Sequence, residues 1–119
     1  MLRAPRSGRR GGVAGERLAE LHYRLRGYRV LERNAWAGGN ELDLVLRRGR
    51  AIVFCEVKRK QGEGFGDPLE MVGPEKRRRV RRAAEAWLAA HPEAAGLEVR
   101  LEVAAVRGRR VSRILAGAE

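Results

Sequence analysis

Residues 39–58 read GNELDLVLRRGRAIVFCEVK. Two apolar runs flank a short basic turn at Arg48-Gly49-Arg50, and this pattern predicts a pair of antiparallel β-strands. Runs so rich in valine, isoleucine and leucine are typical of strands that are buried on both faces. Three charged residues nevertheless stand inside the runs, namely Asp43, Glu56 and Lys58. Because burying a charge without a partner is costly, these groups require partners, and a metal ion with a phosphate would serve.

The two strand carboxylates, Asp43 and Glu56, are expected to meet on one face of the strand pair. The turn leaves two registers open. If Arg47 pairs with Arg50, Asp43 is a diagonal neighbour of Glu56, whereas if Arg47 pairs with Ile52, Asp43 faces Glu56 directly. In both registers the two β-carbons lie within about 5–8 Å of each other. Two hard oxygen ligands so placed suit Mg²⁺ (or Mn²⁺), which proteins often hold with carboxylates, water and substrate phosphate.

Alternation of side chains along each strand makes two further predictions. Lys58 follows Glu56 by two residues and should share its face, where a lysine can orient an attacking water or stabilise the charged phosphorane. Leu42, Leu44 and Leu46 should together occupy one face of the first strand.

Composition and charge favour a nucleic-acid partner. The chain has 119 residues, which is the size of one domain, and a formal net charge of +11 with a pI near 11.4. Such a charge predicts a polyanionic partner, nucleic acid rather than an anionic membrane. No apolar run approaches the roughly 18 residues of a membrane span, and the amino terminus lacks a signal-peptide apolar region, so a cytoplasmic location is expected. The single cysteine, Cys55, excludes an internal disulfide.

The chain is expected to divide into a flexible basic arm over residues 1–12 and a single domain over residues 13–119. The arm is either a solvated tail or a segment that touches phosphates. Residues 13–26 are predicted to form a helix ended by Gly27. Glu16 in its first turn is either a carboxylate favoured by the helix dipole or a functional acid. The expected core stripe of this helix consists of Leu18, Leu21 and Leu25.

A second helix is predicted over residues 74–91, with Pro74 at its first position. It carries a run of cations, which is either a solvated face or a surface that contacts phosphates; we favour the latter because neighbouring like charges repel one another without an anion. Lys76 lies one turn before the apolar Val80 and is expected to point back toward the carboxylates. The candidate nucleic-acid-binding residues of this helix and of the preceding glycine-rich loop are Arg59, Lys60, Lys76, Arg77, Arg78, Arg79 and Arg82.

Three more strands complete the predicted fold. Residues 28–36 form the first, and Trp36 beside the following glycine loop either stacks on a base or packs at the rim of the core. Residues 97–106 and 111–115 form the last two, the former half-exposed because apolar residues alternate with Glu98, Arg100 and Glu102. The order of one helix, three strands, one helix and two strands predicts an α/β domain with a mixed sheet.

With these residues in place, the sequence resembles the PD-(D/E)XK nuclease superfamily, in which an acid on one strand is followed by an acid-x-lysine motif on the next. The closer resemblance is to the YraN-like family of small bacterial proteins, which is distantly similar to archaeal Holliday-junction resolvases. It covers about residues 14 to 116. The segments that carry it are Gly15-Glu16, Gly27-Tyr28, Arg33-Asn34, Glu41-Leu42-Asp43-Leu44, Phe54-Cys55-Glu56-Val57-Lys58, Phe65-Gly66, Lys76 and Arg100-Leu101-Glu102-Val103.

The resemblance implies a restriction-endonuclease-like fold, a mixed five-stranded β-sheet flanked by α-helices. It implies a divalent metal held by Asp43 and Glu56, with Lys58 as the motif lysine and Glu16 as the acid of the first helix. The catalytic candidates are therefore Glu16, Asp43, Glu56 and Lys58. The resemblance also favours DNA over RNA as the partner, and homodimer formation by analogy with the resolvases.

Three functions remain open from the sequence. The first is a Mg²⁺-dependent endonuclease that acts on DNA, with branched or damaged DNA as candidate substrates. The second is a nucleic-acid-binding protein that keeps the nuclease fold but does not cut, with binding that weakens steeply with salt. A ribosome-associated or RNA-associated basic protein would explain the charge but not the carboxylates.

Overall fold

The computed structural model describes residues 10–60 and 73–117 of the chain, and the side chains of residues 13–59 and 73–115. The predicted basic arm lies outside the described residues except for residues 10–12, which belong to the first helix, and the glycine-rich loop after Lys60 lies outside them as well. In chain order the elements are α1 (Arg10–Arg24), β1 (Arg29–Ala37), β2 (Asn40–Arg48), β3 (Ala51–Lys60), α2 (Pro74–Ala89), a 3₁₀ turn (Pro92–Ala94), β4 (Glu98–Arg107) and β5 (Arg110–Gly117).

The five strands form one mixed sheet in the order β1-β2-β3-β4-β5. Strands β1, β2 and β3 pair antiparallel, β3 pairs parallel to β4, and β4 pairs antiparallel to β5. A parallel pair needs a crossover connection, and α2 lies in the segment that joins β3 to β4. The prediction of an α/β fold with a mixed five-stranded sheet flanked by helices is confirmed, and it agrees with an endonuclease-like fold.

Each face of the sheet buries a separate apolar core. The core on the α2 side includes Phe54, Val80 and Trp87, and the core on the α1 side includes Tyr23 and Val53. Since β3 contributes side chains to both cores, its apolar run is continuous rather than alternating, as expected for a strand covered on both faces.

Of the leucine stripe expected from the sequence, helix α1 packs only Leu18 against the α1-side core, where it is partly buried. Leu21 is 52% exposed and Leu25 is 74% exposed. The helix instead turns Gly15, Ala19 and Tyr23, which follow one another at intervals of four residues, toward the sheet. Two of these residues are small, so the helix backbone can approach β3 closely: a β-carbon added to Gly15 would lie 3.6 Å from Arg59. Close approach of the backbone outweighed the larger apolar area of the leucines.

The β2–β3 register is the second of the two that the sequence left open. Arg47 pairs with Ile52, and the ladder runs from Arg48↔Ala51 to Leu44↔Cys55. Continued by one residue, this register sets Asp43 against Glu56.

The expectation that Leu42, Leu44 and Leu46 share one face is wrong for Leu42, which packs in the α2-side core while the other two pack in the α1-side core. The alternation breaks at Asp43, and the residue of β1 that lies opposite, Asn34, has a left-handed φ of 54°. A local twist of the β1–β2 hairpin at this level therefore moves Leu42 to the other face.

Strand β4 is not half-exposed at Glu102, as its alternating pattern suggested. Glu102 is only 2% exposed because β4 lies inside the sheet, between β3 and β5. Its carboxylate accepts hydrogen bonds from the Tyr23 hydroxyl at 2.6 Å and from Arg113 Nε at 2.8 Å, and Arg100 Nε lies 3.1 Å away. Burial alone would raise the pKa of Glu102, but the hydrogen bonds from Arg113 and Tyr23 outweigh it and lower the pKa.

Neither helix in the described part of the chain has the length and apolarity that crossing a bilayer requires.

Candidate metal and nucleic-acid site

Residues of β2, β3 and α2 line a small polar hollow on the α2 side of the sheet. Its volume is about 180 Å³. Asp43 comes from β2 and Glu56 from β3, so the two carboxylates that the sequence singled out are brought together. The other lining residues are Asn40, Glu41, Leu42, Arg79, Val80 and Ala83.

Asp43 is held in place by the backbone of the neighbouring strand. The Val57 N–H donates a hydrogen bond to Asp43 Oδ2 at 2.7 Å, and Asp43 is only 3% exposed. The backbone ladder between β2 and β3 is paired as far as Leu44↔Cys55, and the carboxylate extends the connection between the strands by one more hydrogen bond. This contact explains how a carboxylate is tolerated inside an apolar strand, since a buried charge needs hydrogen bonds.

Glu56 forms an ion pair with α2. Lys76 Nζ lies 2.8 Å from Glu56 Oε2, and both side chains are largely buried, at 11% and 24% exposed. The prediction that Lys76 points back toward the carboxylates is confirmed. An ammonium group in this position compensates the Glu56 charge much as a bound cation would.

Lys58 lies close to this pair. Its pKa is lowered first by the positive charge of Lys76 and then by partial burial, while Glu56 acts in the opposite direction. Lys58 therefore loses its proton more readily than an ordinary surface lysine. Two carboxylates and two lysines thus lie near one another: Asp43 on β2, Glu56 and Lys58 on β3, and Lys76 on α2.

The donor set is compatible with a hard divalent ion. Carboxylate oxygens are the ligands that Mg²⁺ prefers, and Mg²⁺ commonly uses only one or two of them together with water. Within residues 10–60 and 73–117, no three His, Cys, Asp or Glu side chains form a group able to hold a metal ion by themselves. Asp43 and Glu56 would therefore hold such an ion together with water or a substrate phosphate.

Glu16 does not line the hollow of Asp43 and Glu56. It lines a larger hollow of about 620 Å³ between α1 and β1, together with Asn34 and Leu44. Its side chain is half-buried because α1 packs through Ala19 and Tyr23 rather than through its leucines. Glu16 and the two strand carboxylates therefore line different hollows.

The predicted nucleic-acid-binding residues fall into three positions. Arg79 lines the hollow, and Arg77, Arg78 and Arg82 are exposed on α2. Arg59 turns toward α1, against Gly15, and its Nη1 is buried without a hydrogen-bond partner in the part of the chain that the structure describes. The side chain of Lys60 lies outside the described residues.

Sequence reasoning missed a group of arginines at the β4–β5 turn. Arg107, Arg109 and Arg110 are exposed there, and the parallel β3–β4 register sets Arg107 beside Lys60. The crossover through α2 is the signal that could have found them, because the carboxyl ends of parallel neighbours meet at the same edge of a sheet. The edge that carries Lys58 is therefore more basic than the local sequence suggests.

Comparison with known proteins identifies the family. The profile of the uncharacterised protein family UPF0102 matches residues 15–106. A UPF0102 protein of Methylorubrum extorquens is 45% identical over 107 residues, which is 90% of this chain and 82% of the relative. A UPF0102 protein of Parvibaculum lavamentivorans is 40% identical over 126 residues, which is 97% of this chain and 93% of the relative. The matched residues include both strand carboxylates, Lys58 and Lys76, and the chain belongs to the UPF0102 family, the YraN-like family that its motifs resemble.

Proposed function

We propose that this chain is a divalent-metal-dependent nuclease that hydrolyses phosphodiester bonds in DNA. The observation that carries the proposal is the convergence of Asp43 and Glu56, from neighbouring strands, on one polar hollow with Lys76 2.8 Å from Glu56. Two neighbouring carboxylates repel each other, and the Val57 N–H and Lys76 compensate this only in part, whereas a cation bound between them would interact with both. A site that performs chemistry on a phosphate gives them that role.

Two residues of the hollow and the nearby Lys58 have distinct tasks in this proposal. Asp43, fixed by the Val57 N–H, and Glu56 would hold the metal ion. A metal bound there would supply Lewis acidity toward the scissile phosphate and lower the pKa of water. Lys58, with its lowered pKa, would take a proton from the attacking water or hold it in line by a hydrogen bond.

Lys76 has a second task because it already neutralises Glu56. With Glu56 engaged as a ligand, the Lys76 ammonium would be available to a phosphate oxygen. Arg79 lines the same hollow and adds positive charge. These groups would bind the negative charge that develops on the phosphate in the transition state.

Charge on the rest of the molecule supports a nucleic-acid substrate. The net charge is +11, and exposed arginines flank the hollow on α2 and at the β4–β5 turn. A basic surface beside an acidic hollow guides a polyanion toward carboxylates that would otherwise repel it.

A cleavage assay tests the proposal. Purified protein is incubated with duplex, single-stranded and four-way-junction DNA, and with structured RNA, in Mg²⁺, Mn²⁺ or EDTA. We expect metal-dependent products on at least one DNA substrate, and loss of those products in Asp43→Asn, Glu56→Gln and Lys58→Met. Each of these substitutions conserves the size of the side chain, and circular dichroism checks that each variant is folded.

A matched control is Glu98→Gln, which also removes one carboxylate charge but from an exposed position at the other end of β4. It should cleave as the wild type does. Cleavage at the wild-type rate by Asp43→Asn and Glu56→Gln would rule out the assigned metal site.

A second candidate function is nucleic-acid binding without cleavage. The observation that favours it is the Lys76–Glu56 ion pair itself, because it compensates Glu56 without a metal. Under this alternative, every substrate is bound in a salt-sensitive manner and none is cut. Glu56→Gln would then lower the melting temperature and leave DNA affinity unchanged, since the carboxylate would serve only to pair with Lys76.

A further inference from the structure

A second, wholly cationic hollow lies at the opposite end of β2 and β3 from the carboxylates. Its volume is about 440 Å³, and it is lined by Gly27, Arg29, Arg47, Arg48 and Gly49. The sequence predicts only a turn at residues 48–50. No acidic residue is among these lining residues, whereas the hollow at Asp43 contains three carboxylates.

Two of the arginines lie directly opposite each other on neighbouring strands. Arg29 of β1 is the Cα partner of Arg47 of β2. Like charges in direct cross-strand pairs destabilise a sheet. The strand register brings one carboxylate to this end, because Glu98 pairs with Ala51, but Glu98 does not line the hollow. Arg29 is exposed and Arg47 only half-buried, so water weakens their repulsion, and an anion bound between the guanidinium groups would remove it.

The third arginine is held rigidly. Arg48 Nη1 donates a hydrogen bond to the Arg26 carbonyl oxygen at 2.9 Å, and its guanidinium lies over the Tyr28 ring, 4.6 Å from the ring centre. Arg47 Nε donates to the Gly49 carbonyl oxygen at 2.9 Å. These contacts use one nitrogen of each guanidinium and fix its plane, so less entropy is lost when the group binds a ligand.

The turn glycines leave the hollow open. Gly49 has a left-handed φ of 60°, and no atom lies within 4 Å of the position that a β-carbon would take there. The absence of a side chain leaves the guanidinium groups accessible to a bulky anion.

We infer that Arg29, Arg47 and Arg48 form a phosphate-binding site, distinct from the carboxylate hollow, that holds a nucleic-acid backbone. Guanidinium groups match the paired oxygens of a phosphate, and the lining offers no metal ligand. The ligand group that the site recognises is a phosphate, and the assignment of this phosphate to a nucleic-acid backbone rests on the proposed function.

The spacing of the two sites suits one continuous nucleic acid. Asp43 and Arg47 are four residues apart on β2, so the two hollows are separated by roughly 13 Å along the strand. Duplex DNA rises 3.4 Å per base pair, so the arginine site would contact the backbone about four base pairs from the cleavage position. The site would thereby position the substrate as well as add affinity.

The first test is the salt dependence of DNA binding. Binding of a duplex to Arg29→Gln/Arg47→Gln is measured over a range of salt concentrations by fluorescence anisotropy, in EDTA so that no cleavage occurs. The slope of log K against log salt is negative, and each lost phosphate contact makes it shallower by about 0.9. Loss of both contacts should therefore make the slope shallower by roughly 2. Arg48 is left intact because its contacts also support the turn.

A charge-matched control is Arg17→Gln/Arg24→Gln on α1. Both residues are exposed, and neither lines the arginine hollow. This variant loses the same charge and should keep a slope close to that of the wild type. The site would be overturned if Arg29→Gln/Arg47→Gln had the same salt slope as the wild type. It would also be overturned if the two double variants showed the same decrease in slope.

The second test separates the two sources of phosphate. Melting temperatures are measured with inorganic phosphate and with a duplex oligonucleotide, each added to the wild type and to Arg29→Gln/Arg47→Gln. We expect the duplex to raise the melting temperature of the wild type more than that of the variant. A variant-sensitive rise with inorganic phosphate, together with an unchanged DNA salt slope, would overturn nucleic acid as the ligand.

These measurements do not depend on catalysis. If no substrate is cleaved but the salt slope still falls as expected, the nuclease proposal fails and the arginine site stands. If cleavage occurs and the slope is unchanged, the arginine site fails and the nuclease proposal stands.

Discussion

Replacing Asp43 in two ways separates its structural role from its proposed catalytic role. Asp43→Ala removes the acceptor for the Val57 N–H, which is bonded at 2.7 Å in a position where Asp43 is only 3% exposed. Asp43→Asn keeps an amide oxygen that can accept the same hydrogen bond but removes the negative charge. The two variants should therefore differ in stability and agree in activity.

The expected magnitude follows from the buried hydrogen bond. Leaving a buried donor unsatisfied costs about 1–3 kcal/mol. In a domain of this size, 1 kcal/mol changes the melting temperature by roughly 3–6 °C. Asp43→Ala should therefore melt about 3–18 °C below the wild type. Asp43→Asn should melt close to the wild type, because its amide oxygen still accepts the hydrogen bond and because it relieves repulsion with Glu56.

Thermal unfolding in EDTA, followed by circular dichroism, measures these differences without interference from metal binding. The cleavage assay in Mg²⁺ is then run on the same preparations. If Asp43→Ala has the same melting temperature as the wild type, the Val57–Asp43 hydrogen bond does not hold the strands together. If Asp43→Asn is well folded and still cleaves, Asp43 is not a ligand of the catalytic metal.

Three further predictions concern other parts of the molecule. The pKa of Glu102 is held below its ordinary value of 4.5, so its ionised form stabilises the fold above that pH and this contribution is lost as the pH falls; Glu102→Gln should lower the urea midpoint at pH 7 and flatten its decrease in acid. Lys76→Met should raise the pKa of Lys58, because the charge of Lys76 is the main cause that lowers it. An NMR titration of the Lys58 ammonium measures this pKa, and an unchanged value in the variant would contradict the prediction. Trp36 is 72% exposed and Trp87 only 5% exposed, so acrylamide should quench the fluorescence of Trp36 but not that of Trp87. The quenchable fluorescence should therefore be absent in Trp36→Phe. Protection of both tryptophans in the wild type would contradict the position of the β1–β2 hairpin.

The fold could be predicted from the sequence because its strongest signals are local. The apolar runs on either side of Arg48-Gly49-Arg50 identify β2 and β3, and the spacing of Val80, Ala83, Ala84 and Trp87 identifies the buried face of α2. For α2 the helical period of the apolar residues decides which face is buried, and for β2 and β3 the continuous apolar runs indicate strands that are covered on both faces. The same signals placed Asp43, Glu56 and Lys76 near one another.

The remaining features depend on packing between distant segments. The apolar period of α1 favoured its leucines, but the helix packs through Gly15 and Ala19 because small residues let its backbone approach β3. Glu102 looked solvent-exposed by alternation, yet Tyr23 and Arg113 reach it from α1 and β5. Partners so far away in sequence cannot be recognised from the residues around Glu102.

Strand β2 connects the carboxylate hollow, which the sequence predicted, with the arginine hollow, which it did not. Pairing of Arg47 with Ile52 sets Asp43 against Glu56 at one end of the strands, and at the other end it leaves only Gly49-Arg50 in the turn. Arg47 is in turn the partner of Arg29 in β1. A slip of one residue between β2 and β3 would turn Asp43 or Glu56 to the other face of the sheet, whereas the Arg29–Arg47 pair depends on the register between β1 and β2. Strand β2 takes part in both registers and carries Asp43 into the carboxylate hollow and Arg47 into the arginine hollow, so this one strand fixes the distance between the proposed catalytic site and the proposed phosphate site.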